Sequence, residues 1–250
     1  MPESESNHGN PQRAPGWFVT THWSVVQAAG NTALSQANEA LEKLCRTYWY
    51  PLYAYVRRKG YSTDDAQDLT QEFFARLLAR NYLSVADRNK GKFRSFLLGS
   101  LEHFLAREWT KAHAQKRGGG RSTVSLDELD AENRYLLEPS HELTAKRIFD
   151  HRWAMTVLDQ AMAQLRAECV SNNKGDLLSK LECFLSGEKG DGSYAQIAAE
   201  LNMGEGAIKM AVLRLRRRYG ELIREEIAQT VSTPEEVGEE LQFLFSVLRD

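Results

Sequence analysis

Between Gly60 and Arg121 the chain keeps a helical spacing of apolar residues while its charge changes sign, and that pairing restricts the fold more than any other feature. Ser62 with Asp65 three residues on carries the signature of a helix start. Ala66, Leu69, Phe73 and Leu77 come next, at a spacing that buries one helical face. Asp64, Asp68 and Glu72 recur at every fourth position and line a separate acidic row. Beyond a polar loop, Ser84 to Gly91, the sign reverses. Arg88, Lys90, Lys92, Arg94, Arg107, Lys111, Lys116, Arg117 and Arg121 face only Glu102 and Glu108, with Phe93, Phe96, Phe104 and Trp109 threaded among them. Cations attract phosphates and aromatic faces stack on unpaired bases. One compact unit is therefore expected to offer an acidic surface to one partner and a cationic, aromatic surface to another.

Each residue alone also has a plainer reading. Asp64 and Asp65 sit in a first helical turn, where acids offset the macrodipole. Phe93, Phe104 and Trp109 fill a core as readily as they stack on a base. The combination of rows, together with a second motif nearer the C-terminus, favours function.

The remainder reads as helix throughout, without strand-like alternation, so the expected class is all-α with two helical domains joined by a flexible linker. Residues 1–19 form a polar tail expected to be disordered. Residues 20–117 make the first domain, in which Ala33 to Arg57 reads as one long helix or as two with a break at Pro51, and Arg57-Arg58-Lys59-Gly60 is expected to stop it. Residues 118–140 begin with three glycines and read as the linker. Residues 141–231 make the second domain, and 232–250 an amphipathic helical extension. The formal net charge of −2 does not mark a nucleic-acid binder by itself; the charges are segregated into blocks. Cys45, Cys169 and Cys183 are scattered, as in reduced thiols, and no cysteine–histidine spacing suggests a metal. Neither a secretory signal nor a membrane-length apolar run stands out, so a cytoplasmic protein is expected.

Ser193 to Tyr219 holds the second motif. Ser193 and Gln196 form a capping box, and Ile197, Ala198 and Leu201 give a short helix one apolar face. Asn202-Met203-Gly204 reads as a tight turn, with Gly204 placed to take positive φ. Ile208, Val212 and Leu215 give a second helix its buried side, leaving Lys209, Arg214, Arg216, Arg217 and Arg218 for phosphates and base edges. Those are the parts of a helix-turn-helix, in which the second helix enters the major groove. An ordinary helical hairpin with a solvated basic end would look similar.

Together the motifs resemble a bacterial RNA polymerase sigma factor of the extracytoplasmic-function group. Asp64-Asp65-Ala66-Gln67-Asp68-Leu69-Thr70-Gln71-Glu72-Phe73-Phe74 is similar to that family's core-binding helix, and Gly91-Lys92-Phe93-Arg94-Ser95-Phe96-Leu97 to the start of its promoter-melting helix. Ser193-Tyr194, Ile197-Ala198, Leu201, Gly204, Gly206 and Ile208-Lys209 resemble its C-terminal helix-turn-helix, and the motifs keep the family's order. The resemblance implies no enzyme and no cofactor, but a specificity subunit. Asp65, Asp68, Leu69, Gln71, Glu72 and Phe73 would grip the β′ coiled coil of core RNA polymerase. Lys90, Lys92, Phe93, Arg94, Phe96, Arg107, Trp109 and Lys111 would engage the minus-ten element of promoter DNA. Glu205, Lys209, Met210, Leu213, Arg214 and Arg217 would read the minus-thirty-five element. The chain departs from the family at His103 and Arg107, at Met210-Ala211 and at Thr70, which bears on promoter sequence more than on activity.

The competing reading is a helix-turn-helix regulator that binds duplex DNA without polymerase. It accounts for Ser193 to Tyr219 and leaves the acidic row unexplained. A helical enzyme has little support, since no nucleophile–base constellation or phosphate loop stands out. An anti-sigma factor, or the protein's own tail, would be the regulator. In that tail Thr233 and Pro234 start a helix, and Val237, Leu241, Leu244, Phe245 and Leu248 form an apolar stripe beside Glu235, Glu236, Glu239 and Glu240. The stripe is expected to pack on the second domain, to cover a basic or polymerase-facing surface, or to dock on another protein.

Overall fold

The computed structural model describes residues 47–79, 92–114, 131–132, 134–135, 143–185, 193–231 and 233–249. Among these residues the protein is all-helical. The expected disordered tail, the loop at 84–91 and the glycine run at 118–120 lie outside them.

Helix α1 is helical over the described residues 47–58 and forms the centre of the core. Tyr48, Tyr50, Leu52, Tyr53, Ala54, Tyr55 and Val56 are all buried. A helix that is apolar all round must be enclosed by others. Of the two readings at Pro51 it takes the unbroken one over these residues: the ring is buried and, having no N–H, leaves no buried donor to satisfy. Gly60 ends it at φ +96, the left-handed conformation that a side chain resists.

Helix α2 spans Thr63–Ala79 and α3 spans Phe93–Ala114. The Ser62 hydroxyl accepts from the Asp65 backbone N–H at 3.1 Å and donates to its carboxylate at 2.7 Å, so the start of α2 is where the sequence puts it. Thr70 turns inward and satisfies its hydroxyl on the Ala66 carbonyl at 2.7 Å. Arg76 bridges the two helices, pairing with Glu72 of α2 and, at 2.7 Å, with Glu108 of α3.

Helix α4, Ala145–Ser171, is about 40 Å long at 1.5 Å per residue. Thr144 caps its start by accepting from the Arg147 N–H. Asn173, at φ 55, turns the chain at its end, where the Lys174 N–H bonds back to the Cys169 carbonyl. Helix α5, Gly175–Leu181, runs into a single 3-10 turn, Glu182–Phe184. Helix α6, Tyr194–Glu200, begins with the expected capping box of Ser193 and Gln196. The turn after it takes positive φ at Asn202 (φ 50), whereas Gly204 stays at φ −70 as the N-cap of α7. Asparagine tolerates the left-handed region, so the glycine is not needed there. Helix α7 covers Glu205–Ala228 and α8 covers Pro234–Val247.

The apolar interior has two parts. A small one, Leu181, Ile197, Ala198, Ile208 and Val212, lies under α6 and the first half of α7. The large one joins α1, α2 and α3 with α4, the second half of α7 and α8 in a continuous cluster. Helix α7 is thus a strut between them. The described residues of the expected linker are docked rather than loose. Residues 131–132 and 134–135 are helical, and Glu132 accepts from Arg57 at 2.8 and 3.0 Å and from the Tyr53 hydroxyl. Those bonds give a polar segment a fixed seat on α1.

Candidate functional site

The outer face of α2 is built by subtraction. Ala66, Phe73, Phe74 and Leu77 turn to the core, which leaves Asp64, Asp65, Asp68, Gln71 and Glu72 exposed along one side. Leu69 is half-buried at its edge. Phe73 departs from the expected surface: it is 4% exposed, packed against Phe104 with ring centroids 5.7 Å apart, and belongs to the core. Its place in the apolar repeat of α2 sends it inward.

The basic helix α3 divides sharply. Phe93 is fully buried, edge-on to Tyr48 at 5.1 Å, and its N–H donates to the Thr230 carbonyl at 2.9 Å. Arg94 is buried too, donating to Asp150 of α4 at 2.7 Å and to Glu240 of α8 at 3.2 Å. Its guanidinium lies 4.0 Å from the Phe243 ring centroid and 5.0 Å from that of Trp153. Lys92 pairs with Glu239 and Glu240, each at 3.1 Å. Phe96 is half-buried beside Phe93. In this structure, then, Phe93 and Arg94 are not available to DNA as expected, because the beginning of α3 is plugged into α4, α8 and the turn that follows α7. Lys90 lies outside the described residues.

The far end of α3 is open. Trp109 is 58% exposed, Arg107 is exposed, and Lys111 reaches back to Glu108 at 2.8 Å. Trp109, Tyr55, Tyr61, Lys59, Glu102 and neighbouring residues line a cleft of about 340 Å³. The Tyr55 hydroxyl donates to Glu102 at 2.8 Å; burial and that bond raise its pKa well above the ordinary tyrosine range. Sequence reading missed Tyr55, Lys59 and Tyr61 as neighbours of Trp109, because they come from the end of α1 and no local spacing connects them.

On α7 every residue expected to read the upstream element stands on one exposed side: Glu205, Lys209, Met210, Leu213, Arg214 and Arg217. Met210, Leu213, Arg214, Arg216 and Arg217 line a shallow cleft of about 580 Å³. Lys209 pairs with Glu205 at 2.7 Å, and this bond raises its pKa. Arg218 is spent differently. It pairs with Glu168 at 2.7 Å and with Glu221 and Glu225 on its own helix, and so fastens α7 to α4. Arg216 donates twice to the Phe184 carbonyl, holding the 3-10 turn.

Asp150 and Glu240 were also missed as a pair, though each carried a signal. Asp150 stands between Phe149 and Trp153 on a buried face, and Glu240 between Val237 and Leu244. An acid in an apolar stripe asks for a buried cation. Burial raises the pKa of Asp150 against the lowering field of Arg94. Burial disfavours charge on Lys92 as well, but its bonds to Glu239 and Glu240 outweigh that and raise its pKa.

Comparison of the chain with protein-family models, with curated proteins and with solved structures finds no match in any of the three. Among the described residues no helix is long and apolar enough to cross a membrane, and no group of three or more metal-ligating side chains gathers.

Proposed function

We propose that this protein is a sigma factor, which binds core RNA polymerase and directs it to promoters by recognising and melting promoter DNA. The observation that carries the reading is the separation of surfaces: an exposed acidic row on α2 and an exposed basic, partly apolar side on α7, on one all-helical molecule. In this reading Asp65, Asp68, Gln71 and Glu72 meet the β′ coiled coil, with Leu69 at the edge. Helices α6 and α7 act as a helix-turn-helix. Arg214, Arg217 and Lys209 approach phosphates and base edges, while Met210 and Leu213 offer apolar contact of the kind thymine methyl groups accept. Trp109, Arg107 and Lys111, at the open end of α3, are exposed groups left to meet the minus-ten element. The decisive experiment is transcription from a defined promoter by core polymerase with and without this protein. Absence of any promoter-dependent transcript, together with failure to co-purify with core polymerase, would count against the reading.

A second reading, a DNA-binding regulator that acts without polymerase, draws on the burial of Phe93 and Arg94, which removes two residues from the melting surface. It requires the acidic row of α2 to be an ordinary solvated face. Co-purification with core polymerase separates the two.

A further inference from the structure

Helix α8 carries its acids to the beginning of α3. Lys92 pairs with two carboxylates of this one helix, Glu239 and Glu240. Arg94 is shared: α8 supplies Glu240 and the Phe243 ring, whereas α4 supplies Asp150 and the Trp153 ring. If α8 left, Arg94 would keep its α4 partners and Lys92 would lose both carboxylates. Departure would therefore uncover positive charge without stranding a buried guanidinium.

The α8 seat is part apolar and part ionic. Val237 and Leu244 are buried, Leu241, Phe243, Val247 and Leu248 are half-buried, and Phe245 points outward, contrary to the expected stripe. Glu240 occupies the middle of the buried side at 1% exposure. A buried ion cluster contributes little net stability compared with an apolar plug of the same size, because desolvation offsets the attraction. Water and polyanions compete for the same cations. The ionic part of the seat therefore adds little to the cost of opening, which the apolar side chains set.

We propose that α8 is an autoinhibitory latch: it holds the beginning of α3 shut against α4 and the turn after α7 by occupying Lys92 and Arg94 with Glu239 and Glu240, and its release presents that end of α3 to the sugar-phosphate backbone of single-stranded DNA. The identity of the ligand rests on the function proposed above; the opening does not. The latched form binds weakly in proportion to how rarely it opens.

The test begins with hydrogen exchange on the intact protein. The α8 amides should exchange through a local opening, well before those of Trp153 and Val157 in the middle of α4. Protection of α8 equal to that of α4 overturns the latch, and this result needs no variant to fold. The second arm measures a short oligothymidine by fluorescence anisotropy at low salt. Truncation after Val231 and the double variant Glu239→Gln, Glu240→Gln should each bind at least about tenfold tighter than the intact chain, as expected for removal of a closed state that dominates the population. Adding Lys92→Ala to the double variant should remove much of the gain. Faster α8 exchange in the double variant with unchanged oligothymidine affinity overturns the proposal. Core polymerase, titrated in parallel, reports on the other reading: failure of every form to bind it would sink the sigma-factor assignment while leaving the exchange and oligothymidine results intact.

Discussion

Arg94 and Glu240 stand 146 residues apart in sequence and meet at 3.2–3.3 Å through two guanidinium nitrogens, with both side chains withdrawn from water. Asp150 completes the set at 2.7 Å. Three helices from distant parts of the chain thus share one buried guanidinium. Arg94→Ala would take the guanidinium from buried Asp150 and leave Glu240 with Lys92 alone. Loss of one partner from a buried charged group costs about 3–5 kcal/mol, so the midpoint of urea unfolding should fall steeply. A loss within the range of ordinary surface substitutions, about 0.5 kcal/mol, would show that the acids simply take up protons or find other partners.

That cluster also marks the limit of what local sequence patterns reveal. The Ser62 and Ser193 caps, the Gly60 stop and the inward faces of α2 and of the first half of α7 follow from spacing alone, since short-range geometry decides them. The beginning of α3 does not. Spacing cannot say that Arg94, a cation, is buried beside Phe93; its partners, Asp150 of α4 and Glu240 of α8, lie far along the chain, as does the Thr230 carbonyl that accepts from the Phe93 N–H. In α8, Phe243 faces inward and Phe245 outward, because Phe243 covers the Arg94 guanidinium. The exposed sides of α2 and α7 were legible for the converse reason: a regular apolar face defines its opposite.

For the acidic row, charge reversal at Asp68 separates surface from scaffold. Asp68 is exposed on the free protein, so Asp68→Lys should leave helicity and unfolding midpoint nearly unchanged. Binding to core polymerase should weaken. An interface charge that becomes desolvated is worth about 2–5 kcal/mol, and one at the rim much less. Titration of labelled protein against core polymerase checks this; unchanged affinity would remove Asp68 from the interface.

On α7, Lys209 and Arg214 are both exposed, and Lys209 already has Glu205 at 2.7 Å. Solvent screens exposed pairs, so alanine at either position should be tolerated by the fold. Promoter affinity should fall by about 1–3 kcal/mol for a residue that reads a base, with relaxed preference at one position. A residue that only neutralises phosphate should weaken all sequences alike and flatten the salt dependence by about one charge. Measuring affinity against salt for two promoter sequences distinguishes the roles, and no effect from either variant would place DNA elsewhere.

Arg218 tests the fastening of the two interiors. Its bonds to Glu168 on α4 and to Glu221 and Glu225 along α7 raise its own pKa, and that of Glu168 is lowered in return. The sites are about one-third exposed, so screening limits the effect, and Arg218→Ala should cost about 1 kcal/mol. Because the Glu168 carboxylate is stabilised in the folded state, that contribution is present above the ordinary glutamate range and fades as pH falls through its lowered folded-state pKa. The difference in unfolding free energy between the intact protein and Arg218→Ala should shrink accordingly in acid. A difference that persists after Glu168 is protonated would mean that packing of the arginine stem, and not the charge, joins α7 to α4.

Glu226 should behave in the opposite sense. It is half-buried in the last turn of α7, where burial, and then the neighbouring Glu225, raise its pKa. The negative end of the helix dipole lies there too. Raised folded-state affinity for a proton means that the folded protein holds more protons than the unfolded chain as pH climbs through and above the ordinary glutamate range. Stability from this group is therefore greatest in acid and declines as pH rises through the folded-state pKa. Glu226→Gln removes the charge and keeps the shape. Near neutral pH the variant should be the more stable protein, and in acid, where Glu226 is protonated, the two should converge. Subtracting the unfolding free energies of the pair at each pH isolates this group from Asp150, whose pKa is also raised, and from Glu108, Glu132 and Glu168, whose pKa values are lowered. A variant that is less stable at neutral pH would mean that the carboxylate has a cationic partner worth more than its burial costs.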